Sequence, residues 1–96
     1  MIDNVLNHII SIAKKYNVKK VVLFGSRARG DNSDASDYDI AVFDNRLTAT
    51  QKAYFAQDIE DIQTLKKIDV VFVNGNESDE LSNSLKKEGI TIFEQT

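Results

Sequence analysis

Three short apolar runs in this chain are each bounded or interrupted by aspartate or glycine: V-V-L-F-G-S at 21–26, D-Y-D-I-A-V-F at 37–43 and I-D-V-V-F-V at 68–73. Runs of this length, rich in β-branched and aromatic residues and flanked by turn formers, predict strands. Aspartate is a poor strand former, so Asp37, Asp39 and Asp69 carry a local cost that points to function. Residues two apart in a strand face the same way, which would place Asp37 and Asp39 side by side. Two carboxylates that close repel unless a cation sits between them. An oxygen-only donor set suits magnesium.

The first run ends in Gly25-Ser26. Ser26 is expected to open a short second helix that Gly30 ends. Free backbone N–H groups at a helix start, together with the helix dipole, favour an anion such as phosphate. Gly25 would let backbone approach phosphate closely, and Ser26 would donate its hydroxyl or cap the helix. Arg27 and Arg29 are two apart and do not share a helix face; Arg27, nearer the helix start, is the expected triphosphate contact. Carboxylates beside a phosphate cradle suggest chemistry on a nucleoside triphosphate.

Each element also has a plainer reading. Gly-Ser is a common turn, and Asp is common where strands begin. Asp31 and Asp34 read as turn residues, and Ser36 as a cap for the Asp37 region. Tyr38 faces away from the aspartates, toward the core. His8 lies beside an apolar helical arc and is not expected to be catalytic. Lys66-Lys67 and Lys86-Lys87 read as solvated helix ends.

Gly25-Ser26, ten intervening residues and Asp37-Tyr38-Asp39 resemble the signature of the nucleotidyltransferase superfamily that includes DNA polymerase beta and kanamycin nucleotidyltransferase. Within it, the chain most resembles the minimal nucleotidyltransferases of prokaryotes, often antitoxin partners of HEPN-domain ribonucleases. That family carries a third carboxylate on a later strand, where Asp69 stands. The resemblance implies a mixed sheet with the nucleotidyltransferase fold. It also implies a metal site made by Asp37, Asp39 and Asp69, and ATP as substrate at Gly25, Ser26 and Arg27. Two magnesium ions ~4 Å apart would clamp the attacking and leaving oxygens, with Asp69 helping to deprotonate the attacking hydroxyl.

The remaining elements follow from periodicity. Ile2, Val5, Ile9, Ile12, Ala13 and Tyr16 predict an amphipathic first helix, stopped by Asn17 in the left-handed region. Leu6 and Ile10 widen its apolar arc; they are expected either to extend a hydrophobic patch into an interface, homodimeric or with a toxin, or to be covered by the fourth helix or the C-terminal segment. Strands are expected at 19–24, 38–43 and 68–73. A capping box at Thr48 and Gln51 opens a third helix, with Phe55, Ile59 and Ile62 buried, running to about Leu65. Residues 74–78 turn. Leu81 and Leu85 mark a fourth helix, with Lys86 and Lys87 at its negative dipole end and Gly89 as its C-cap. Ile90–Phe93 would add an edge strand. The whole reads as an α/β sandwich, a small mixed β-sheet packed against helices, with one minimal nucleotidyltransferase domain over residues 1–96.

An apolar share of 42% supports a modest core. With no cysteine there is no disulfide framework or thiolate metal site. Nothing resembles a signal peptide or a membrane span, so a cytoplasmic location and no membrane partner are expected. A net charge of −3 argues against direct nucleic-acid binding. The larger superfamily members hold the acceptor on an additional domain, for which this chain has no room. The acceptor is therefore expected on a partner protein or at a homo-oligomer interface. The expected function is magnesium-dependent transfer of AMP from ATP to a hydroxyl, a tyrosine of a HEPN-domain toxin, making the chain an antitoxin. The alternatives are transfer to a small-molecule hydroxyl by a homodimer, or neutralisation of a toxin by binding alone.

Overall fold

The computed structural model describes residues 3–33, 36–44, 46–73 and 78–95. Along the chain these form α1 (Asn4–Lys15), β1 (Lys20–Phe24), α2 (Ser26–Arg29), β2 (Tyr38–Phe43), α3 (Ala49–Glu60), β3 (Ile68–Val73), α4 (Asp79–Glu88) and β4 (Ile90–Glu94). Ile2, Asp34 and residues 74–77 of the expected turn lie outside the described residues.

The strands make one mixed sheet in the order β3-β2-β1-β4. β1 runs antiparallel to β2 and β4, and β2 runs parallel to β3. Central β1 buries Val21, Val22 and Leu23, as its unbroken apolar run predicts. One face of the sheet carries Val21, Leu23, Tyr38, Ile40 and Val42. It packs on Leu6, Ile9 and Ala13 of α1 and Phe55 and Ile59 of α3. Phe55 links the layers by edge-to-face contacts with Tyr16 and Phe72, at centroid distances of 5.6 and 5.8 Å.

Several local signals act as expected. Asn17 adopts φ 56°, the left-handed stop of α1. Thr48 and Gln51 form both bonds of the capping box. Two expectations are corrected. α3 ends at Glu60 rather than near Leu65. Ile62 reaches the core from the turn after it, and Leu65 is fully exposed, because apolar spacing alone does not separate a helix from a turn that re-enters the core. Leu6 is 4% exposed and belongs to the core, so it is not the edge of an interface, and Ile10 is only half-buried. Gly89 is the C-cap of α4, as expected, but at φ −65° rather than in the left-handed region. It is small for another reason: a Cβ there would lie 2.7 Å from Val22 Cγ1. Glycine lets the end of α4 settle on β1.

Candidate active site

The opposite face of the sheet is only partly covered. Register pairs Phe24 of β1 with Asp39 of β2, and Asp39 with Asp69 of β3. Cross-strand partners share a face, so the two carboxylates stand in one row near the N-terminal ends of parallel β2 and β3. The next rows along this face are Val22, Ala41 and Val71, then Lys20, Phe43 and Val73.

Gly25 fits this row closely. It adopts φ 75° and ψ −158°, a conformation essentially confined to glycine. A Cβ on Gly25 would collide with Asp39 Oδ2 and lie 3.2 Å from Asp39 Cγ. The Gly-Ser turn and the Asp39 carboxylate therefore touch. Ser26 follows as the first residue of α2, and Gly30 closes that helix with φ 84°.

Burial raises the Asp39 carboxyl above its ordinary range; the charges of Asp69 and Asp37 push the same way, while Arg29 and Lys67 oppose them. Asp37 precedes β2 and is exposed, yet its charge is felt at Asp39, so the three aspartates singled out by sequence share one electrostatic environment. Asp69 pairs with Lys67 at 3.4 Å. Among the described residues no group of three His, Cys, Asp or Glu side chains is already drawn together tightly enough to hold a metal ion. The donor set nonetheless fits magnesium: all-oxygen, adjacent in register, and with a carboxyl whose proton affinity is raised by burial and by its acidic neighbours.

The two arginines divide as their helical spacing requires. The Arg27 guanidinium lies 4.0 Å from the Tyr38 ring centroid, and its Nε donates to the Ser36 carbonyl at 3.1 Å. Arg29 binds Asp31 and Glu88, and its charge bears on Asp39 together with that of Lys67. Tyr38 is buried, as its facing predicts. Its hydroxyl donates to Asp3 Oδ2 at 2.5 Å; burial, then this bond, pushes the phenol up to about 12. Asp3 also caps α1 by accepting from Leu6 N, and so ties the first helix to β2. Its place just before the apolar arc was the available signal for that role.

At the far end of β2 stands Asp44, which sequence reading did not single out. It is 8% exposed and receives Arg46 Nε and Nη2 at 3.1 and 3.0 Å, with Arg46 N at 2.8 Å. An Asp-x-Arg pattern directly after a strand was the only sequence signal. Outside Asp69, a cleft of about 420 Å³ opens between the edge of β3 and the end of α3, with Glu60, Thr64, Lys66 and Lys67 in its lining.

A glycine-serine turn set against aspartates on neighbouring strands of a small mixed sheet defines the nucleotidyltransferase class. The chain belongs to the family described as "Polymerase beta, Nucleotidyltransferase", whose model matches residues 7–96. It is 44% identical over 55 residues to a Methanocaldococcus jannaschii protein named "Putative protein adenylyltransferase", a match covering 56% of this chain and 51% of that protein. The chain thus spans about half the length of that curated relative. Its fold matches a toxin–antitoxin structure with AMP-PNP at a TM-score of 0.73, with 23% identity over 95% of this chain and 74% of the other. It also matches a complex of a tri-AMPylated Shewanella oneidensis HEPN toxin with its MNT antitoxin at 0.67, with 21% identity over 95% and 71%. A Sulfolobus solfataricus structure described as "a putative nucleotidyltransferase" matches at 0.61, with 20% identity over 95% and 81%. Among the described residues no helix is long and apolar enough to cross a membrane.

Proposed function

We propose that this chain is a magnesium-dependent nucleotidyltransferase that moves AMP from ATP to a tyrosine hydroxyl of a HEPN-domain toxin, and so acts as its antitoxin. The observation that carries the reading is the contact between Gly25 and Asp39 within a row of carboxylates, where burial and then the charges of Asp69 and Asp37 raise Asp39. Asp37, Asp39 and Asp69 would hold the metal. Bound magnesium would neutralise phosphate charge and make the acceptor hydroxyl more acidic. Gly25 leaves the room at the turn that a phosphate needs, Ser26 offers a hydroxyl, and Arg27 is the further nucleotide contact carried over from sequence. Asp69 would take the proton of the acceptor hydroxyl as its oxygen attacks the α-phosphorus and the bond to pyrophosphate breaks. The cleft beside Asp69 gives an acceptor side chain a way in. The HEPN partner is supported by the toxin–antitoxin complexes that share the fold, and the protein acceptor by the name of the curated relative.

The test has two arms. Magnesium and ATP together should stabilise the protein more than either alone, approaching ~2.7 kcal/mol at about 100-fold over the dissociation constant. The double variant Asp37→Asn, Asp39→Asn should lose the ATP-dependent shift, and an unchanged shift would refute the site. Incubation with ATP and a HEPN-domain protein encoded beside this chain should add the mass of an adenylyl group to a tyrosine of that protein. Absence of the adduct with ATP binding intact would refute the acceptor.

A further inference from the structure

Arg29, the last residue of α2, holds two carboxylates at once. Its Nε donates to Asp31 Oδ2 at 3.0 Å and its Nη1 to Glu88 Oε2 at 3.1 Å. Asp31 belongs to the same turn, whereas Glu88 is the last residue of α4, 59 positions along the chain. Glu88 reaches α2 because Gly89 lets the end of α4 press onto Val22 of β1. The pair therefore bridges the helix that covers the open sheet face to the turn beside the acidic row. Both side chains are partly solvated, 42% and 34% exposed, so the pair is weak and exchangeable. The charge of Arg29 is also felt at Asp39.

We infer that Arg29 is an exchangeable positioning residue: a triphosphate arriving at the Asp39 end draws its guanidinium away from Glu88, so nucleotide and the end of α4 compete for one cation. The inference rests on the nucleotide reading above. A guanidinium pairs with phosphate oxygens through a two-pronged, charge-assisted fork, which a single part-exposed carboxylate does not match. Competition of this kind is reciprocal. Whatever strengthens Arg29–Glu88 weakens nucleotide binding by the same factor, and nucleotide loosens α4.

Calorimetric titration with ATP and magnesium chloride tests this on the wild type, Glu88→Gln, Arg29→Gln and the double variant. Circular dichroism melts confirm that each is folded. Glu88→Gln should tighten ATP about threefold, and Arg29→Gln should weaken it about tenfold. Adding Glu88→Gln to Arg29→Gln should gain nothing, since no guanidinium remains to be released. Hydrogen exchange at the amides of residues 85–89 should speed up with ATP in the wild type but not in Arg29→Gln. An equal gain from Glu88→Gln in both backgrounds would reduce Glu88 to a distant charge and overturn the inference, as would unchanged affinity or unchanged exchange. If the wild type does not bind ATP, the nucleotide reading falls and this inference with it. If it binds ATP through Asp39 while Glu88→Gln changes nothing, only this inference falls.

Discussion

Strand β2 has an aspartate near each end, and the fold treats the two in opposite ways. Asp44 is the more buried, yet a two-pronged bond from Arg46 holds its carboxyl below the ordinary range against the cost of burial. Asp39 is half-buried, and burial, then its acidic neighbours across the sheet and along the chain, raises its carboxyl. Burial alone does not decide what a carboxylate does; the charge it is buried beside does. Asp44 fastens the segment after β2 to the loop after α1, because Arg46 also donates to the Asn17 carbonyl at 3.1 Å. Asp39 instead keeps an unfavourable charge against a glycine turn, where the proposed function would put magnesium.

The largest effect should come from Gly25, where the acidic end meets backbone strain. Gly25→Val combines a forbidden conformation with a collision against Asp39 and should cost about 3 kcal/mol or more. Denaturant unfolding measures it. In an Asp39→Ala background the collision disappears and part of the loss should return; an identical loss in both backgrounds would break the claimed contact.

Asp44→Asn comes next. It removes the charge from a buried, doubly bonded acceptor and should cost about 1.5–3 kcal/mol. Asp39→Asn should go the other way, raising stability at neutral pH by about 0.5 kcal/mol, the scale of partly solvated charge pairs. If both variants lose stability alike, the two ends of β2 are not opposites.

pH sharpens the same contrast. The Asp44 carboxyl is depressed in the folded state, so its stabilisation is complete above the ordinary value of 3.8 and disappears as pH falls through its lower folded value. The Asp39 carboxyl is raised above 3.8, so its penalty is present at neutral pH and is relieved as pH falls through the higher folded value. The difference in melting temperature between wild type and Asp39→Asn should therefore close before the difference between wild type and Asp44→Asn, as pH is lowered from 7. Closure in the reverse order would contradict the assigned shifts.

The smallest effect is that of magnesium alone. It should raise the melting temperature of the wild type slightly, leave the double variant Asp37→Asn, Asp39→Asn unmoved, and act fully in Asp44→Asn. Reversal by a chelator checks that the shift comes from the ion.

Much of this was legible in the chain itself. β2 and β3 fall at the residues that their apolar runs predict, because a strand's alternation and its flanking turn formers are local. So are the capping box at Thr48, the left-handed Asn17 and the Gly-Ser turn. The row of aspartates was visible as residue types set against their own strand propensity. Only the tertiary structure decided which strands neighbour one another, since pairing Asp39 with Asp69 joins segments thirty positions apart. It buried Leu6, which periodicity had placed at an edge, because the width of an apolar arc does not tell how much of it the rest of the fold covers. It brought the charge of Arg29 to bear on Asp39, and gave Asp44 its partner. Those outcomes depend on distances between elements, and electrostatic interactions follow distance in space, not separation in sequence.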